Sequence, residues 1–226
     1  MEETNIKKII LESYSNFILE NNHPPKNVFI FCNHIDLTEK EFYQYFANFE
    51  EIEKEYLIYF FEESKTLIIG DENYLQIEGN DKLLSLYYTF FEQLTLNRSL
   101  VLYLFNKHKS PLKQFVLFSK LKSSFLHFVE GLNLQSFDMN ATMQDVEKLA
   151  KLQKKGVEEI FWGNFAATFK FWMEDKSPSF EKTDLFIEKS IAASLELTEA
   201  EPFKKLVDFG KFILKEQITK YKACKP

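Results

Sequence analysis

Residues 28–52 read VFIFCNHIDLTEKEFYQYFANFEEI. Thr38 followed three residues later by Glu41 is a capping-box pair, so a helix is expected to open at Thr38 and run to about Phe46. The apolar-faced stretch 26–33 forms a shorter helix before it. Asp36 sits in the turn between them, and a short polar side chain tolerates the left-handed conformation such a turn needs. Asn48 with Glu51 repeats the start signal, opening a further helix over about 49–68 that carries Tyr56, Tyr59, Phe60 and Phe61. Upstream, Ile9, Leu11, Tyr14, Phe17 and Ile18 recur at helical spacing over residues 5–22, and His23-Pro24-Pro25 ends that run because proline cannot extend the hydrogen-bond ladder. The outline is a three-helix unit with a helix-turn-helix at its centre, joined to a long aromatic helix.

The spacing of this stretch resembles the N-terminal domain of the TetR family of bacterial repressors. Leu37-Thr38 stands where that family has Val-Ser, and Phe42-Tyr43-Gln44-Tyr45-Phe46 stands for its aromatic cluster. Glu50-Glu51-Ile52 stands for the Glu-Glu-Leu that opens its linker helix. The resemblance implies an all-α fold, a DNA-reading module over 1–47 and a ligand-binding and dimerisation body over 48–226. On that likeness Thr38, Lys40, Tyr43 and Gln44 are the candidate DNA contacts. The packing positions match better than the DNA-facing ones. Asp36 replaces the turn glycine, Glu39-Lys40-Glu41 replaces a pattern that usually reads Lys-Gly-Thr, and Phe49 replaces a lysine.

Charge sharpens that contrast. The chain has a net charge of −6. Residues 1–56 hold five lysines and eleven acids, which is already −6, while the remainder balances at 23 and 23. All of the excess therefore lies in the half expected to meet DNA, although a DNA reader draws much of its affinity from neutralising phosphates.

The rest of the chain continues as helices. Gly70–Asn80 is a polar loop, followed by helices over about 81–95 and 98–107. Ser110-Pro111 is a cap with proline at the first helical position, and the helix behind it should run unbroken to Glu130, with Phe115, Phe118, Leu121, Phe125 and Phe128 as its stripe. Thr142 and Asp145 cap a helix to about Lys155, and a longer one reaches Asp175 after a break at Gly156. Ser177-Pro178-Ser179 turns the chain, and helices over 180–196 and 199–222 close it. With six glycines, six prolines and no strand pattern, nine to eleven helices are expected.

In the body, Phe115, Phe118, Phe125, Phe161, Trp162, Phe165 and Phe169, together with His127, are the candidates for lining an apolar ligand site, with Tyr87, Tyr88 and Asn164 as further polar anchors. The same rings equally suit a solid core. Gly163, Ala166, Ala167, Ala192, Ala193 and Ser194 are small residues that permit close helix approach, and a two-fold homodimer through these helices is what the TetR resemblance implies. Residues 164–191 are also similar to a segment of the COQ9 family, lipid-binding proteins of ubiquinone synthesis with a TetR-like fold. Asp175, Ser177, Phe180, Thr183, Phe186 and Ile187 carry that likeness. Between Phe203 and Lys225, seven lysines and two acids accompany an apolar stripe, the pattern of a final helix that either packs on the domain or lies on a membrane surface.

Two functions of different class follow. One is a TetR-type transcriptional regulator that binds operator DNA as a homodimer under the control of an apolar small molecule. The other is a COQ9-like lipid- or quinone-binding accessory protein that keeps the fold without reading DNA. No HExxH, GxSxG, Walker or GxGxxG pattern is present, so neither catalysis nor a metal or other cofactor is expected. Cys32 and Cys224 are too few for a disulfide framework, no apolar run is long enough to span a bilayer, and the acidic start lacks a signal-peptide pattern. A cytoplasmic protein is the expectation.

Overall fold

The structure is a computed structural model that describes residues 2–108, 110–132, 134, 146–200 and 205. Among the described residues there are ten α-helices, one 3-10 turn and no strand. The helices are α1 (Glu2–Asn21), α2 (Val28–His34), α3 (Glu39–Tyr45), α4 (Phe49–Ile69), α5 (Gly79–Leu96), α6 (Arg98–Lys107), α7 (Pro111–Leu117), α8 (Ser119–Gly131), α9 (Val146–Glu174) and α10 (Glu181–Glu199), with the 3-10 turn at Pro178–Phe180. Contacts divide the chain into two compact units. The first is Met1–Tyr74 with Thr89–Ser124, and the second is Leu75–Tyr88 with Phe125–Pro226.

The first unit follows the local signals closely. Asn27, Thr38 and Asn48 are the N-caps of α2, α3 and α4, and each side chain accepts a backbone N–H of the first turn. At Asp36 the backbone is left-handed, with φ 54°. Behind the turn lies an aromatic cluster. Phe31 and Phe42 meet edge-on with centroids 6.1 Å apart, and Phe49 touches Tyr14, Phe31 and Phe42 at 5.1, 5.7 and 6.0 Å. Aromatic pairs in this range stabilise beyond the area they bury. Phe49 thus closes the cluster from the first turn of α4.

The inward face of α1 is shifted from expectation. Ile10, Leu11, Tyr14 and Ile18 are buried, whereas Ile9 is 37% exposed. An i, i+4 row through residues 10, 14 and 18 faces α4, which leaves Ile9 at the edge of the stripe.

Two helix boundaries also differ from the sequence reading. The helix expected over 111–130 is broken at Phe118. There the chain tightens: the Phe118 N–H bonds to the Phe115 carbonyl at 3.1 Å, and the Phe118 carbonyl accepts from Lys122 N–H at 2.9 Å. The break lets Leu117 and Phe118 face inward together, with Phe118 packed on Phe105 at 5.3 Å, and leaves Phe115 59% exposed. Conversely, α9 runs without interruption through Gly156. One interior glycine costs about 1 kcal/mol relative to alanine, less than a long packed helix recovers. The caps expected at Thr142 and Asp145, and all but residues 200 and 205 of the basic final helix expected after residue 199, lie outside the described residues.

In the second unit α9 and α10 pack against each other. Phe161, Phe165, Phe169, Trp172, Ile187 and Ile191 are buried there. No helix is long and apolar enough to cross a membrane among the described residues.

Candidate functional site

The exposed side of α3 is organised by its cap. The Thr38 hydroxyl accepts from Glu41 N–H at 3.2 Å and donates to the Glu41 carboxylate at 2.7 Å, while the Thr38 N–H donates to the same carboxylate at 2.8 Å. Those hydrogen bonds from Thr38 hold the Glu41 carboxyl below its ordinary range. Thr38 is exposed, but its hydroxyl is already engaged within the box. Lys40, Tyr43 and Gln44 point outward, with Tyr43 53% exposed. Phe42 and Phe46 point inward and anchor the helix.

The same surface carries charge of the wrong sign for phosphate. Asp36, Glu39 and Glu50 are exposed, and none has an ion-pair partner among the described residues. Four other acids of α4 are paired. Glu51 holds Lys54 at 2.7 Å, Glu62 holds Lys65 at 2.7 Å, and Glu55 receives Lys7 at 2.5 Å and Lys120 at 2.7 Å. Glu53 is buried to 2% exposure and accepts from the Tyr14 hydroxyl at 2.8 Å and from Lys107 Nζ at 2.8 and 3.0 Å. Sequence reading missed Glu53. The signal was available, because Glu53 shares a four-residue row with Leu57 and Phe61, and an acid in an apolar row must find partners.

Beside the turn, Ile9, Ser13, Phe17, His34 and Asp36 line an open groove of about 310 Å³. His34 stands edge-on to Phe17 with ring centroids 6.0 Å apart.

The eight residues named for a ligand site are drawn from both units. Phe115 and Phe118 belong to the first unit, and the other six belong to the second. There, Phe125 lies 4.6 Å from Phe165 and 5.9 Å from Trp162, and Trp162 stacks on Phe165 at 5.6 Å. Tyr87 meets Phe125 and Phe165 at 6.1 and 5.5 Å. Phe161 and Phe169 are buried, while His127 is on the exposed side of α8. Two of the expected polar anchors bond each other: the Tyr87 hydroxyl donates to Asn164 Oδ1 at 2.9 Å. The rings brought together in this unit pack on one another.

The α9–α10 joint is built around a carboxylate. Asp175 Oδ1 accepts from the Ser177 N–H and hydroxyl, each at 2.8 Å, and Oδ2 accepts from the Thr183 N–H at 3.0 Å and hydroxyl at 2.7 Å. Burial pushes this carboxyl up, but the four hydrogen bonds outweigh it and hold the pKa at about 2. Ser179 and Phe180 take left-handed conformations to complete the turn, and Phe186 stacks on Phe171 at 4.5 Å. Among the described residues no group of His, Cys, Asp or Glu is arranged to hold a metal ion.

The arrangement can present one capped helix to a partner while a separate helical unit supplies an apolar interior. The family model described as the tetracyclin repressor-like C-terminal domain matches residues 82–213, more than half of the chain. No curated protein and no solved structure matches it. A chain that is all-α among its described residues and matches this domain over more than half of its length belongs to the tetracyclin repressor-like (TetR) family.

Proposed function

We propose that the protein is a TetR-type transcriptional regulator that binds operator DNA as a homodimer and releases or engages it in response to an apolar small molecule. Residues 1–47 form the reader and residues 48–226 the ligand-binding and dimerising body, in the cytoplasm. The observation that carries this reading is α3 itself: a capped helix seated on Phe42 and Phe46, entered through the left-handed Asp36, with Lys40, Tyr43 and Gln44 turned outward. Thr38 contributes by fixing the start of that helix. Small-molecule control acts through the aromatic interior of the second unit, where Phe125, Phe161, Trp162, Phe165 and Phe169 are the candidates to part around a ligand. Ligand and operator then oppose or reinforce one another through a single coupling free energy.

The test is a gel-shift titration of the full chain against the DNA upstream of its own gene, at low and at moderate salt. A specific complex that weakens as salt rises is expected. Binding no tighter than to unrelated duplex of the same length would overturn the reading. Mass spectrometry of apolar compounds that co-purify with the protein identifies the ligand class.

A second reading is favoured by the unpaired acids Asp36, Glu39 and Glu50 on the outer face. In it the chain is a COQ9-like lipid- or quinone-binding accessory protein, and the basic segment 203–225 touches membrane. Liposome flotation of the full chain and of a chain ending before Pro202 separates the two. Flotation that depends on the missing segment, together with no specific DNA complex, selects the second reading.

A further inference from the structure

One face of α1 is left open beside the end of α2. Ile9, Ser13, Asn16, Phe17 and Glu20 line it, and their spacing of three or four residues keeps them on one stripe that runs about 16 Å along the helix. The other wall comes from His34, Ile35 and Asp36, and the groove holds about 310 Å³. That volume lies at the lower end of the range that takes a small molecule. All of these residues belong to the first unit.

The walls combine apolar surface with uncompensated negative charge. Ile9, Phe17 and Ile35 keep part of their apolar surface open to solvent, and Phe17 meets two imidazoles edge-on, His23 and His34, each with its ring centroid 6.0 Å away. The carboxylates of Glu20 and Asp36 are exposed, and neither has an ion pair or a side-chain hydrogen bond among the described residues. No lysine or arginine lines the groove. Such a surface repels carboxylates and phosphates, and it complements a positive charge carried on a hydrocarbon body. A bare metal ion would gain nothing from the apolar wall, and among the described residues no group of His, Cys, Asp or Glu is arranged to hold one.

The geometry points to this groove as a binding site for an amphiphilic organic cation, a protonated amine on an apolar chain. Its ammonium pairs with the carboxylates of Glu20 and Asp36, and its hydrocarbon lies against Ile9, Phe17 and Ile35. The ligand is opposite in chemistry to the apolar compound assigned to the second unit, and its site lies within the first. Any effect on operator binding rests on the reader proposed above, whereas occupancy is read without DNA. The test is calorimetric titration of the full chain at neutral pH with n-octylamine, together with the imidazole proton resonances of His34, one of four histidines. Octylamine should saturate the chain and shift the His34 signal. Ethylamine, which keeps the charge and drops the chain, and octanoate, which reverses the charge, should each bind at least about tenfold more weakly. Glu20→Gln combined with Asp36→Asn should cost octylamine about tenfold, and asparagine preserves the left-handed turn at residue 36. Octanoate or ethylamine binding as tightly as octylamine, an unmoved His34 signal, or full affinity in the double variant would overturn the proposal. Should the double variant fail to fold, Asn16→Lys decides. It places an ammonium in the groove from an exposed position of α1 where lysine favours the helix more than asparagine does. Loss of octylamine binding in that variant supports the site, and retained binding refutes it.

Discussion

Asp175 and Thr38 show how much a single polar side chain can organise. Asp175 turns a chain reversal into a defined joint by accepting four hydrogen bonds from Ser177 and Thr183. Because its folded pKa of about 2 lies below the ordinary 3.8, the group binds a proton less readily in the folded chain than in the unfolded one. Its stabilisation is therefore complete above the ordinary value and is lost as pH falls through about 2. Asp175→Asn should lower unfolding stability by about 2 kcal/mol at neutral pH, with the difference from wild type shrinking on acidification below pH 4. Urea titrations of both proteins across pH measure this directly. Thr38 works at the other end of the chain, where its box with Glu41 fixes the first turn of α3. Both arrangements join residues within eight positions of each other, so the side chains that make them were visible as sequence patterns.

Helices bring in partners that spacing does not reveal. Gly79 opens α5, and alanine there would ordinarily favour a helix. Yet a Cβ at Gly79 would stand 2.5 Å from the Leu132 carbonyl oxygen and 3.0 Å from Leu134 Cδ2. Gly79→Ala should therefore lower the thermal midpoint. Gly163, in the interior of α9, has nothing within 4 Å of such a methyl, and Gly163→Ala should stabilise the chain by about 0.5–1 kcal/mol. Differential scanning fluorimetry on the two variants tests opposite signs for one chemical change. The break at Phe118 belongs here too. Helical spacing alone permits a continuous stripe through Phe115, but burying Leu117 and Phe118 side by side requires a change of direction between α7 and α8.

Assembly and recognition involve surfaces the single chain leaves open. On α9 and α10, Gly163, Ala167, Ala192 and Ala193 are exposed, so the proposed homodimer has small residues available for close approach. Ala167→Glu should shift sedimentation from dimer to monomer while leaving helical content unchanged, since the side chain is exposed in the single chain. On α3, Glu39 has no ion-pair partner among the described residues, and in the proposed complex it would face DNA phosphates. Glu39→Gln should tighten operator binding about three- to tenfold at low salt, with the gain fading as salt screens the charge. Fluorescence anisotropy with labelled operator reads both effects.

The caps of α3 and α4 and the order of α1–α4 were legible from residues 1–69 because each signal is local. A cap bonds within its own first turn, and the strain at Asp36 depends on that residue's own side chain. The outward set Lys40, Tyr43 and Gln44 follows from the same helix phase. The folded chain supplied what joins distant positions: Tyr14 to Glu53 across 39 residues, Lys107 to Glu53 across 54, and Tyr87 to Asn164 across 77. Periodicity marks the face that is buried, but not the atom that meets it. For that reason Glu53, hidden in an apolar row, and the ring-on-ring packing of Phe125, Trp162 and Phe165 emerged only when the helices were set against one another.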